Sequence, residues 1–326
     1  MTDRARTVLI TGGAGFIGSH LAERLLADGD HVVVIDDLST GRWENIATFE
    51  DHPRFRVVIA SASEPGLVNE EVGRAHLVYH LASAVGVKLI MEQPVKTVET
   101  IFHTTDTVLR AASRFRRPVL ITSTSEVYGK LDNVPFREQD DVVMGSTEKR
   151  RWAYACAKAL DEFLAFAHYS ETKLPVFVVR LFNTVGPRQT GQYGMVLPIF
   201  VKQALNGEPL TVHGDGEQRR CFCSVFDVVE ALTRLPRNPA AAGKVVNVGS
   251  QEEVSIEELA RRVIARVKSK SVIKLVPYAD AYGDGFDDMR RRVPDITRVG
   301  ELIGWAPTYN LDTIIDQVAG ALTTNA

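Results

Sequence analysis

Short apolar runs punctuate the first half of the chain, and longer amphipathic stretches fill the gaps between them. Val8–Thr11, Val32–Asp36, Val57–Ala60, Leu77–Leu81 and Val119–Ser123 are brief, rich in β-branched residues and bounded by turn formers. That texture predicts strands buried on both faces. Phe16–Ala27 instead places Phe16, Ile17, Leu21, Leu25 and Leu26 at helical spacing, and Gly29 marks its stop. Thr97–Arg114 and Trp152–Tyr169 read as two more long amphipathic helices, with a sixth strand at Val176–Leu181. Strand and helix alternate, so the expected class is α/β, a Rossmann-like doubly wound parallel sheet with helices on both faces.

After Phe182 the pattern changes. Gly186, Pro187, Gly191, Gly194 and Pro198 crowd one segment, which reads as a loop. A helix at Ile199–Asn206 and a strand at Leu210–His213 follow, and Val245–Val248 looks like a buried strand returning to the large sheet. Helices are expected at Ile256–Lys268 and Leu311–Ala321, separated by an Asp/Arg-rich stretch, Asp284–Asp295. The expected division is a dinucleotide-binding domain, residues 1–182, rejoined by about 222–250, and a smaller α/β substrate lobe, residues 183–326.

Composition removes several classes of function. The 326 residues carry 38 Lys+Arg against 41 Asp+Glu, a net charge of −3, with 45% hydrophobic residues. A near-neutral balance argues against nucleic acid as a partner, because phosphate neutralisation needs concentrated basic charge. No apolar run approaches the roughly 20 residues needed to span a bilayer. The opening MTDRARTVLITGG lacks the apolar core of a signal peptide. Cys156, Cys221 and Cys223 give neither a disulfide framework nor a four-ligand zinc set. The expectation is a reduced cytoplasmic protein with no metal and no membrane partner.

Gly12, Gly15 and Gly18 fall at the junction of the first strand and first helix, in TGGAGFIGSH. Glycine permits the tight turn, and its missing Cβ lets a pyrophosphate reach the N–H groups of the helix start. Roughly twenty residues on, the second strand ends in Asp36, whose carboxylate can bond an adenosine ribose and repel a 2′-phosphate. Asp37 is the rival for that role. Strand, glycines and acid in register point to NAD.

The fifth strand runs into Ser123, Thr124, Ser125 and Glu126, at the end of a parallel strand that faces the ligand crevice. Tyr154 and Lys158, four apart, share one helical face. A free phenol titrates near 10, and neighbouring positive charge favours its phenolate. Tyr154 is therefore a candidate general base. Cys221 and Cys223 read as core packing, and His80 as a satisfied core histidine.

The segments TGGAGFIG, STSEVYG, Tyr154-x-x-x-Lys158, RLFNTVGPR and GDGEQRRCF together resemble the extended short-chain dehydrogenase/reductase family, which remodels nucleotide sugars. The resemblance spans nearly the whole chain. It implies Tyr154 as base toward a sugar 4-hydroxyl, Lys158 as its electrostatic partner and ribose ligand, and Thr124 as a hydrogen-bonding partner of the same oxygen. It further implies NAD contacts from Phe16, Ile17, Leu81, Ala82 and Ser123, beside the three glycines and Asp36 or Asp37. Asn183, Arg220 and one of Arg290–Arg292 would hold a UDP-linked nucleotide sugar, the arginines clamping its diphosphate. The two long helices imply a homodimer.

Three reactions begin alike, with a 4-keto sugar. A 4-epimerase returns hydride to the other face, a 4,6-dehydratase eliminates water, and a decarboxylase loses CO2 from a uronic acid. STSEVYG, RWAY, RCF and AYGDGFDDMRRRVPDI resemble most the UDP-glucuronate decarboxylases of the family, of aminoarabinose-pathway and UDP-xylose synthase type. That resemblance gives Ser125, Glu126 and Arg292 the carboxylate and the later proton transfer, with Glu126 water-bridged or partly protonated. It implies UDP-4-keto-pentose or UDP-xylose as product. The family pattern is departed from at Phe286, Ser61 and Ile101, where a tyrosine, an acid and an asparagine are usual. An NAD-sensing protein of the same fold is the competing non-enzyme class, and Thr124, Tyr154 and Lys158 together weigh against it.

Overall fold

The computed structural model describes residues 5–84, 92–191, 195–282 and 289–324. The first half runs β1 (Thr7–Thr11), α1 (Phe16–Ala27), β2 (His31–Asp36), β3 (Phe55–Ile59), α2 (Pro65–Arg74) and β4 (Leu77–His80). It continues through α3 (Pro94–Phe115), β5 (Val119–Thr124), α4 (Ala153–Thr172) and β6 (Val176–Leu181). Then come β7 (Thr184–Val185), α5 (Val196–Leu205), β8 (Leu210–His213), β9 (Arg219–Cys221), β10 (Cys223–Ser224) and α6 (Val225–Arg234). The chain closes with β11 (Lys244–Val248), β12 (Glu253–Ser255), α7 (Ile256–Arg266), β13 (Ile273–Val276), α8 (Tyr278–Tyr282), β14 (Arg291–Arg292), α9 (Thr297–Ile303) and α10 (Leu311–Thr324).

Seven strands form one sheet in the order β3-β2-β1-β4-β5-β6-β11, and every neighbouring pair is parallel. The expected parallel α/β sheet is therefore present, with Val245–Val248 joined to it beside β6. Alternation sorts the side chains of β1. Val8 and Ile10 pack with Leu21 and Leu25 of α1 and Val228 and Leu232 of α6. Leu9 points the other way, into Val72 of α2, Val108 and Leu109 of α3 and Ala165 of α4. Each such residue, once buried, contributes about 1.5–3 kcal/mol. The order reverses between β1 and β4, and the crevice at that reversal is where doubly wound sheets bind ligands.

A separate apolar cluster holds the C-terminal elements together: Leu197 and Phe200 of α5, Val212 of β8, Leu259 and Val263 of α7, Ile314 and Val318 of α10. α5 begins at Val196 rather than Ile199 and takes Pro198 into its first turn, where a missing N–H has no partner to lose. α3 likewise starts one turn early, with Pro94 in its first turn. Cys221 and Cys223 lie in two different short sheets. Both are fully buried, and burial pushes the Cys221 thiol up to about 12 and the Cys223 thiol higher still. Among the described residues, no helix is long and apolar enough to cross a membrane, and no His, Cys, Asp and Glu cluster suits a metal.

Candidate active site

A cavity of about 700 Å³ opens along the carboxyl ends of β1, β2, β4 and β5. Gly12, Gly15, Phe16, Ile17 and Gly18 line one end with Asp36 and Asp37; Leu81, Ala82 and Ser123 line the middle. Thr124, Ser125, Glu126, Tyr154, Lys158, Asn183 and Arg292 gather at the other end. Arg220 is not among the lining residues. Its guanidinium is buried and donates to the carbonyl oxygens of Arg219 and Arg290.

The glycines differ in what they avoid. A Cβ on Gly18 would sit 2.1 Å from the Gly12 carbonyl oxygen, and one on Gly12, at φ +75°, would meet the Ala82 backbone nitrogen at 2.7 Å. Those two glycines let the turn pack against itself. At Gly15 the nearest protein atom would be the Gly12 oxygen, at 3.1 Å, so its bare Cα leaves the space in front of α1 open. The Asp36 carboxylate accepts N–H groups from Ala14 (2.9 Å) and Leu38 (2.9 Å), which lock it to the loop. Burial pushes its pKa up against those bonds. Asp37 is exposed and accepts the Ser39 N–H at 2.9 Å. An open cradle at a helix N-terminus with a fixed carboxylate at the next strand end fits the pyrophosphate and ribose of NAD. Gly15→Ala is expected to weaken NAD binding at least ~tenfold, about 1.4 kcal/mol, in calorimetry, with the melting temperature of the cofactor-free protein little changed. Gly18→Ala, which collides with backbone, is expected to lower that melting temperature itself.

Thr124 caps the short turn that ends β5: its Oγ1 accepts the Glu126 N–H at 3.3 Å, so its own proton can point into the cavity. Tyr154 is nearly buried, in apolar contact with Ala84, Ile101 and Ala157. The unusual Ile101 thus backs the phenol ring. Lys158 donates to Asp161 at 2.8 Å, a partner that the sequence reading missed although an i, i+3 acid on the same helix was its signal. Beneath Ser123, Arg180 of β6 grips Glu162 with Nε at 3.0 Å and Nη2 at 2.8 Å, and the Ser123 hydroxyl bonds the same carboxylate. Arg180 also stacks on Tyr128, 4.7 Å from the ring centre, tying the floor of the site to the turn after β5.

The three arginines divide. Arg290 pairs with Asp215 at 2.7 Å, and Arg291 with Glu253 at 2.7 and 2.8 Å, both on the exposed face. Only Arg292 of the three enters the cavity, where its Nη1 lies 3.4 Å from Glu126 Oε1 with both side chains about one-tenth exposed. Glu126 thus has a guanidinium beside it. Asn183, at φ +26°, donates to the Cys221 carbonyl at 2.8 Å and lines the same wall. Ser61 lines the far end and bonds Ser63. Arg188, the last residue of RLFNTVGPR, also reaches the cavity while paired with Glu23 at 2.7 Å. Phe286, Asp284, Asp287 and Asp288 lie outside the described residues.

His80 is the core histidine expected, bonded to Thr11 at 2.7 Å and Thr105 at 3.0 Å. Burial, aided by the Lys158 charge, holds its pKa down at about 3. A histidine lowered in the folded state binds its proton only on unfolding, so stability falls as pH drops below about 6.5, by up to ~1.4 kcal/mol per unit. His80→Gln is expected to flatten that slope in denaturant unfolding between about pH 6.5 and 5.

Residues 9–318 match the family model described as GDP-mannose 4,6 dehydratase. The chain belongs to that family. Its relatives include the UDP-N-acetyl-α-D-glucosaminuronate decarboxylase of Bacillus cytotoxicus, 40% identical over 303 residues, 93% of either chain. UDP-glucuronic acid decarboxylase 4 of Arabidopsis thaliana is 38% identical over 306 residues, 93% of this chain and 66% of that longer one. Among solved structures of this family's fold, the UDP-glucuronic acid 4-epimerase of Bacillus cereus, in complex with UDP-glucuronic acid and NAD, superposes with a TM-score of 0.87. That match covers 98% of this chain and all of the other at 25% identity.

Proposed function

We propose that this protein is an NAD-dependent decarboxylase of a UDP-linked uronic acid, converting UDP-glucuronate to UDP-4-keto-pentose, UDP-xylose or both. The observation that carries the reading is Arg292: a largely buried guanidinium in the same cavity as Thr124 and Tyr154. Arginine holds a carboxylate through two parallel N–H bonds and stays charged. The decarboxylase relatives support it.

The glycine cradle and Asp36 would hold NAD, which when bound would supply the hydride acceptor for the sugar C4 and the hydride for reducing a keto product. Tyr154 takes the 4-hydroxyl proton while Lys158 favours its phenolate. With C4 a ketone, the carboxylate on C5 is β to it. The C5–carboxylate bond then breaks, CO2 leaves, and the electron pair forms an enolate on the C4 oxygen. The Thr124 hydroxyl and the newly protonated Tyr154 stabilise that oxygen. A proton delivered to C5 from the Ser125–Glu126 side completes the step. Arg292 keeps the carboxylate in place until the bond breaks.

Incubation with NAD+ and either UDP-glucuronate or its 2-acetamido counterpart, followed by mass spectrometry, tests this. Loss of CO2 is expected. Unchanged mass with altered chromatography makes the protein an epimerase, and loss of water makes it a dehydratase. We further infer a homodimer. Val95 and Val98 of α3 and Leu160 and Phe163 of α4 are 38–70% exposed, an apolar face suited to a second copy. A monomeric solution mass at micromolar concentration would refute it.

A further inference from the structure

Lys158 serves more than the phenol. Its ammonium and the Asp161 carboxylate meet at 2.8 Å with side chains 4% and 1% exposed. Removing two charges from water is costly, and such a pair persists only when further contacts hold it. Those contacts come from outside the helix. The Thr105 hydroxyl of α3 lies against the Asp161 carboxylate, whose Oδ1 makes no hydrogen bond of normal geometry. Thr105 in turn bonds His80 Nε2 at 3.0 Å, and His80 Nδ1 bonds Thr11 Oγ1 at 2.7 Å. Thr11 Oγ1 accepts the Ala82 N–H at 3.4 Å, and Thr11 adjoins Gly12. All three side chains are buried. Thr11 Oγ1, which accepts from Ala82, can at the same time donate to His80 Nδ1. The imidazole, neutral at working pH, then carries its proton on Nε2 toward Thr105, whose own proton is free for Asp161.

We propose that Asp161 is a positioning residue for the proton-transfer pair: a buried counter-charge that keeps the Lys158 ammonium beside the Tyr154 phenol, braced by Thr105 and His80 from the floor of the nucleotide cradle. The proposal rests on Tyr154 as the base of the reaction above. The charged groups facing Asp161 are Lys158 and Glu162 on its own helix; Thr105 from α3 is neutral, as is His80 from β4. Glu162 is engaged by Arg180 of β6. Burial pushes the Asp161 carboxyl up and the Lys158 ammonium opposes it, so neither group is stable there without the other. Without Asp161, the ammonium either turns to the open cavity or sheds its proton. Both withdraw positive charge from the phenol.

The test reads the phenol itself. Ultraviolet titration of the full-length, NAD-bound protein, with the curve of Tyr154→Phe subtracted, isolates the Tyr154 phenolate. In Asp161→Asn the midpoint is expected to rise by about one pH unit or more, a ~tenfold smaller phenolate fraction near neutrality. Asp161→Glu is expected to recover most of the shift. An unmoved midpoint, or one that falls, overturns the proposal, as does a lowered melting temperature with the phenol unmoved. If Asp161→Asn does not fold, Thr105→Val decides: a smaller rise supports the brace, and no rise overturns it. The readout needs no turnover, so an inactive response to UDP-uronates would sink the proposed reaction and leave this result standing on its own.

Discussion

Replacing Tyr154 with phenylalanine is expected to slow NAD+ reduction by a UDP-uronate ~10²–10⁴-fold, the range contributed by a positioned general base. The change removes one oxygen and keeps the ring, so contacts with Ala84, Ile101 and Ala157 survive and the melting temperature should hardly move. NAD affinity should be near that of the parent, because the glycines and Asp36 at the other end of the cavity are untouched. Single-turnover absorbance of the reduced nicotinamide separates this from slow product release. In the proposed mechanism Thr124 acts on the same sugar oxygen as Tyr154 and Lys158 acts through the phenol, so their substitutions are expected to combine with Tyr154→Phe less than additively. A Tyr154→Phe variant that reduces NAD+ at the parental rate removes the base from the mechanism.

What could be read in the chain beforehand follows the range of the interaction. Gly12, Gly15, Gly18 and Asp36 belong to one strand–helix–strand unit, so spacing alone places them on a single crevice. Tyr154 and Lys158 share a helix, and their common face is equally local. Asp161 is just as local, yet an i, i+3 acid is usually solvated, and its burial depends on α3 covering that face. Which of Arg290–Arg292 turns inward is a matter of register between β14 and β9, strands some seventy positions apart, where Arg292 pairs with Arg220. Alternation puts Arg291 on the opposite side from its two neighbours, but which side faces the cavity depends on Glu126 and β5. The surroundings of Arg220 are equally long-range: its Nη1 donates to the carbonyl oxygens of Arg219 and Arg290, one of them far along the chain. Short strands such as β7, β10 and β14 carry no periodic signal at two residues each, and only pairing defines them.

Arg292→Met should separate carboxylate recognition from sugar recognition. Methionine keeps much of the side chain's bulk and loses the charge, so the wall beside Glu126 stays filled. Truncating one member of a buried, hydrogen-bonded charge pair typically costs about 2–5 kcal/mol. That corresponds to roughly a 30- to several-thousand-fold loss in kcat/KM for UDP-glucuronate, at about 1.4 kcal/mol per decade. Part of the loss is repulsion: with the guanidinium gone, the Glu126 carboxylate, 3.4 Å from it in the parent, faces the substrate carboxylate unscreened. Adding Glu126→Gln to Arg292→Met should therefore recover some UDP-glucuronate binding, a coupling visible in a double-mutant cycle. Calorimetry with UDP-glucose supplies the control, because its neutral C6 hydroxymethyl group has no need of a cation. Its affinity should fall far less than that of UDP-glucuronate. An equal loss for both ligands would mean that Arg292 holds the shared nucleotide or the shape of the wall, and the carboxylate would need another partner.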